Sequence, residues 1–131
     1  MNTSPHHRLK GFSLVEVLAA VTVIGIIAFL ALPNIVTVKA DSEQNLAIAR
    51  AEAVNMAISS FIHAHGHAAA ATNWTNAANN QAKYSLLAPY LAYAPTQLAD
   101  YMPSGFGVAM PASIAALAKV PLSGPSGSVN Y

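Results

Sequence analysis

The stretch from Phe12 to Leu32 reads FSLVEVLAAVTVIGIIAFLAL, 21 residues in which Glu16 is the only charge. As a helix rising 1.5 Å per residue it spans the roughly 30 Å of a bilayer's hydrocarbon core. A chain with such a run must supply it with lipid or with apolar neighbours. The whole sequence is 54% hydrophobic and 8% charged, far from a soluble surface, and much of that excess lies in this one run. An unpaired carboxylate within it costs about 2.5–3.5 kcal/mol on insertion scales. Glu16 therefore demands a partner.

Arg8 and Lys10 precede the span, and Lys39, Asp41 and Glu43 follow it. This mild positive-inside bias directs the N-terminus to the cytoplasm and the rest of the chain outward. Lys39, Arg50, Lys83 and Lys119 are scattered singly and the net charge is +1, so nucleic acid finds no electrostatic footprint. The chain has no cysteine, which excludes a disulfide framework, a zinc ribbon and a thiol nucleophile. Two ordinary readings of the N-terminus compete with a sharper one. A secretory signal has an apolar core of about 7–15 residues; this run is longer, holds Glu16, and meets its nearest small-residue cleavage pattern, Val38-Lys39-Ala40, only after Pro33. The other reading is a plain anchor in which Glu16 snorkels to the interface.

The sharper reading comes from the order of residues: a polar leader with Arg8 and Lys10, then Gly11, then Phe12, Ser13, Leu14, Val15 and Glu16, then unbroken apolar sequence. This order resembles the class III signal of type IV prepilins and type II secretion pseudopilins, closely from about Arg8 to Pro33 and loosely beyond. The resemblance implies a membrane-embedded prepilin peptidase that cuts between Gly11 and Phe12 and methylates the new Phe12 amine. It makes Glu16 the family's glutamate at the fifth mature position. It also implies further partners: copies of this chain, other pilin-like subunits and an inner-membrane assembly platform. The spacing agrees on physical grounds, because cleavage creates a cationic amine one helical turn from a carboxylate, or opposite that of a neighbouring subunit. Pairing amine and carboxylate in a low-dielectric filament core would set the axial register. A carboxylate in the first turn also complements the helix dipole, by about 0.3–1 kcal/mol. Pairing is the larger effect.

Gly25 and Pro33 are the helix-weakening residues of the span. Proline removes a donor and crowds the preceding turn, so a kink or local unwinding is expected. In related pilins a glycine and a proline at matching positions bracket a segment that loses helical structure in the filament; a simply bent membrane helix is the alternative. Past Pro33 the pattern turns amphipathic, with Val36, Leu46, Ala49, Ala53, Met56, Ala57 and Ser60 or Phe61 against Asp41, Glu43, Gln44, Arg50, Glu52 and Asn55. One helix is thus expected from Ser13 to about His63, roughly 75 Å long. The predicted organisation is a leader (1–11), a transmembrane and filament-core helix (12–33), its amphipathic continuation (34–64) and a small head (65–131). The fold class is α+β and pilin-like, the helix packing on short helices and a small antiparallel sheet.

Within the head, AHGHAAAATNWTNAANNQA lacks periodic apolar residues and reads as a surface loop, with Trp74 as its packing anchor. His63, His65 and His67 invite a metal, but no Asp, Glu or Cys stands nearby to complete a shell, and solvated histidines are the simpler reading. Asn73-Trp74-Thr75 matches a glycosylation sequon that predicts little in a prokaryote. Tyr84, Leu87, Tyr90 and Leu91 recur at helical spacing around Pro89, Thr96 to Tyr101 suggests a further turn, and residues 105–110 and 116–122 read as strands, with Gly124-Pro125-Ser126-Gly127 as a turn. No residue set suggests catalysis, and no cofactor is expected. Gly105 and Gly107 are a lone Gly-x-Gly, and the chain has five acids. The expected role is structural: a subunit of a periplasmic type II secretion pseudopilus, held by one helix in the inner membrane. Small size and lack of cysteine favour it; the lack of an acidic calcium-binding loop, Asp100 being the only acid after Glu52, counts against a calcium-bound major subunit. The alternatives are a type IV or competence pilin serving adhesion, motility or DNA uptake, and an anchored binding protein that never polymerises.

Overall fold

The computed structural model describes residues 11–131. Helix α1, Leu14–His65, is followed by α2 (His67–Asn76), α3 (Asn80–Leu87), a single 3-10 turn (Ala88–Tyr90) and α4 (Leu98–Tyr101). Three short strands complete the fold: β1 (Gly107–Val108), β2 (Leu122–Gly124) and β3 (Gly127–Val129). They form one antiparallel sheet in the order β1-β2-β3, with Val108 opposite Leu122 and Leu122 opposite Val129. The fold is α+β and consistent with a pilin-like subunit. By its internal contacts the chain divides into two units, one ending at Lys39 and the other Ala40–Tyr131.

In the first unit, among the described residues, the large apolar side chains of the helix are exposed. Among the described residues α1 is the one helix long and apolar enough to cross a membrane, and none of its most apolar 18-residue window is buried. α1 runs unbroken through Gly25 and Pro33, so the local unwinding expected there is absent from the lone subunit. Pro33 has no N–H to offer the Phe29 carbonyl one turn back. Thr37 Oγ1 donates to the Pro33 carbonyl at 3.1 Å, a back-bond of the kind that bends helices.

In the second unit α1 buries Ala47, Ala51, Val54, Ala57, Ile58 and Phe61. Only Ala57 and Phe61 belong to the stripe expected from sequence; Leu46 is 45% and Met56 70% exposed. Large residues drew the expected stripe, but the buried face is partly built from small ones. Ala47 and Ala51 share a core with the bulky Trp74, Tyr84, Leu87 and Tyr101 supplied by the head, so volume is filled from the head side.

The stretch expected as a loop after His63 is instead α2. Alanine is the best helix former, so the run takes up a helix with few buried contacts. Here Ala70 and Trp74, four residues apart, are buried. Gly66 lies between the two helices at φ 77, a conformation glycine adopts without strain, and its N–H still donates to Ile62 O at 2.9 Å. Trp74 anchors a helix rather than a loop: its indole N–H donates to Pro111 O at 2.8 Å, and Lys83 Nζ donates to the same carbonyl at 2.9 Å. α3 opens on Asn79, whose side chain accepts from Ala82 N at 2.8 Å. The Gln81 side chain then donates to Thr96 O and accepts from Leu98 N, both at 2.8 Å, fixing the approach to α4.

The strand expected over 116–122 forms only at its last residue. The reason lies in its hydrogen bonds: Val120 N–H donates to Asn55 Oδ1 at 2.9 Å and Val120 O accepts from the Tyr131 hydroxyl, so side chains take the place of a ladder. Lys119 Nζ adds bonds to Glu52 Oε1 and to a main-chain oxygen of Tyr131, both at 2.8 Å. The Gly124-to-Gly127 turn is present as a two-residue hairpin loop, and the residues after it form β3. Arg50 donates to Tyr101 O and lies against the Tyr101 ring. Burial pushes the hydroxyl of Tyr101 above its ordinary range, an effect Arg50 opposes.

Two outcomes follow. Trp74→Ala should destabilise the second unit by about 3–5 kcal/mol and Trp74→Phe by only about 1 kcal/mol, as measured by denaturant unfolding in detergent. Hydrogen bonds from Lys119 and then Asn55 hold the Glu52 carboxyl below its ordinary range. A depressed value stabilises the fold above the unfolded carboxyl's range, and that contribution is lost as pH falls through the folded value. Because Glu52 is exposed the effect on stability is small. A carbon-detected NMR titration should show Glu52 titrating higher in Lys119→Met than in wild type.

Candidate processing and assembly site

Gly11, Phe12 and Ser13 carry no regular secondary structure and are exposed. The helix begins immediately after them because Ser13 caps it. The Ser13 carbonyl takes the first intrahelical bond, from Val17 N at 3.2 Å. Ser13 Oγ accepts from Val15 N at 3.3 Å, and the Ser13 N–H donates to Glu16 Oε2 at 3.0 Å. These reciprocal bonds are a capping box, in which serine and a glutamate three residues on each satisfy an orphan donor of the first turn. Phe12, Glu16, Val17, Ala20 and Val21 line one groove on the same flank of the helix.

Glu16 is thus engaged within its own chain. Its carboxylate reaches back to the N–H of Ser13, three residues toward the N-terminus. The expected pairing with a neighbour's amine needs a second copy. Ser-x-x-Glu before an apolar run is itself a helix-start signal, and it marks Ser13 as the cap. The leader residues Arg8 and Lys10 lie outside the described residues.

Gly25 and Pro33 are both inside α1. A Cβ added to Gly25 would meet nothing within 4 Å, so no contact in this chain requires the glycine. The three histidines do not converge. His63 is exposed near the end of α1; His65 Nδ1 lies 3.2 Å from Phe61 O, and its ring stacks 4.6 Å from that of Phe61. His67 Nε2 lies 3.3 Å from Ala115 O. Among the described residues no three of His, Cys, Asp and Glu stand together as a metal site.

Residues 7–32 match the family model of the prokaryotic N-terminal methylation motif. No curated protein and no solved structure matches the chain. The chain therefore carries a class III prepilin signal leading into a long apolar helix. That motif supports a pilin-like or pseudopilin-like protein, membrane-anchored and structural rather than enzymatic, and it implies processing by a prepilin peptidase and assembly with other such subunits.

Pro33→Ala should restore the donor to the Phe29 carbonyl. Slower amide hydrogen exchange over residues 33–37, in detergent micelles, is the expected result.

Proposed function

We propose that this chain is a filament subunit, cut between Gly11 and Phe12, methylated at Phe12 and polymerised through the first half of α1. The motif match over residues 7–32 carries the reading. The apolar side chains of that half support it, since among the described residues they are left exposed. Before assembly the helix crosses the inner membrane with its N-terminus in the cytoplasm and the head in the periplasm. In the filament, Glu16 pairs with the Phe12 amine of a neighbouring subunit and sets the register. Gly25, open in the lone subunit, leaves room for a neighbouring helix to approach closely. Of the filaments such a subunit could build, we favour the type II secretion pseudopilus, on the absence of cysteine from these 131 residues. The lack of acidic residues after Glu52, Asp100 excepted, keeps a type IV or competence pilin as the second reading.

Intact mass should show loss of Met1 to Gly11 and gain of one methyl group; a mature chain starting at Asp41 would refute the processing site. Gly11→Leu should leave full-length precursor in the membrane. Glu16→Ala should insert and be cut, yet yield filaments reduced by about an order of magnitude or more; normal filaments from it would defeat the pairing. Deleting the gene should abolish export of folded proteins if the filament is a pseudopilus. Loss of surface filaments, motility or DNA uptake instead would establish the second reading.

A further inference from the structure

We infer that the heads of neighbouring copies join through Leu117: this leucine and the main chain around it enter a groove along the outer edge of β1 in the next copy. The joint rests on the filament reading above. The groove has a volume of about 350 Å³, is lined by Leu98, Ala99, Met102 and Phe106 beside Asn80 and Val108, and carries no charged side chain. The register of β1 fixes what its edge offers. Ala109 N donates to Pro121 O at 3.1 Å, while Val108 stands opposite Leu122. Bonded and non-bonded pairs alternate along an antiparallel ladder, so the Val108 N–H and carbonyl turn away from β2 to the outer edge. The next outward donor, Met110 N–H, is taken by Asn80 Oδ1 at 3.2 Å, a side chain standing where a further strand's carbonyl would.

The chain itself carries an occupant of matching character. Of the large apolar side chains exposed in the second unit, Leu46 and Met56 lie on α1, whose main chain is already bonded, and Tyr93 lies against Arg50. Leu117, 70% exposed, is the one on irregular backbone. Among the described residues no hydrogen bond reaches the main chain of Ala116, Leu117 or Ala118. The segment is held at both ends, by Ala115 O beside His67 Nε2 and by Val120 N–H on Asn55. Its one charge, Lys119, is paired with Glu52, so a neutral span meets a neutral groove. Segment and groove share no residue, and a contact between two different patches is heterologous: it repeats from copy to copy. Val108 offers one N–H and one carbonyl, enough to orient an incoming chain as an added strand and too few to propagate a sheet.

The test uses the absence of cysteine. Ala99→Cys at the groove is combined with Ala116→Cys beside Leu117, both positions being exposed, and processed filaments of the double variant are oxidised and run on denaturing gels. A ladder of disulfide-linked multimers beyond the dimer is expected, and neither cysteine alone should give one. Adding Leu117→Ser should weaken the ladder several-fold, and moving the groove cysteine to Asn73 on α2 should abolish it. Filaments without a ladder, or with an unchanged ladder in Leu117→Ser, would overturn the inference. Failure of the wild-type chain to form filaments would count against the filament reading instead. The groove is then judged on the processed full chain in detergent micelles, by adding a synthetic peptide of residues 112–120. That peptide should shift the amide resonances of Leu98, Phe106 and Val108, and its Leu117→Ser form should not; no shift from the first, or equal shifts from both, would overturn the inference.

Discussion

An apolar surface left exposed among the described residues is the constraint on which this structure turns. Phe12, just ahead of α1, and Phe29, Leu30 and Ile35 in its first half are all largely exposed. At about 25 cal/mol per Å², leaving that surface in water is untenable, so the helix must lie in lipid or against other helices. Lipid and a bundle of like helices are similar as apolar solvents and differ in what they do for polar groups. That difference gives the few polar residues of the segment their importance: the hydroxyls of Ser13, Thr22 and Thr37 are all bonded locally, Thr22 to Leu18 O, while the Glu16 carboxylate accepts from the Ser13 N–H. A helix so arranged carries no unmet hydrogen-bonding demand on these three hydroxyls into either medium.

The second half of the same helix solves the opposite problem. It offers alanines at the places where the head brings rings, and long polar side chains at the places where the head brings irregular backbone. Asn55 binds both Val120 N–H and the Tyr131 hydroxyl; Arg50 reaches the Tyr101 carbonyl. The head therefore needs little secondary structure of its own. Buried side-chain nitrogens and oxygens among the described residues all have partners.

The long helix, the three-turn segment around Tyr84 and Leu87, the α4 turn and the hairpin turn were legible because each carries a strong local signal: period, spacing or paired glycines. The misreadings share a cause. Leu46 and Met56 outweighed Ala47 and Ala51 when the buried face was sought, since hydropathy ranks size whereas packing rewards fit. The Ala-rich stretch after Gly66 has no period to detect, although its propensity is high. Residues 116–122 look like a strand, but Val120 is held by side chains, Asn55 lying 65 positions away in the chain and Tyr131 11 positions away. The methylation motif was fully legible, and the match over residues 7–32 supports it. The use of Ser13 as the cap was written plainly in Ser-x-x-Glu and was masked by attention to the charge.

The sheet has two outer strands, Gly107–Val108 and Gly127–Val129, and each is only two or three residues long. An exposed edge is a template for further strands, and its danger grows with its length and flatness. Subunits crowded side by side at high local concentration would meet edge to edge repeatedly. Strands this brief, with glycine in both, give no purchase for cross-β growth. Edges of this kind would let the chain be concentrated without inviting the wrong polymer.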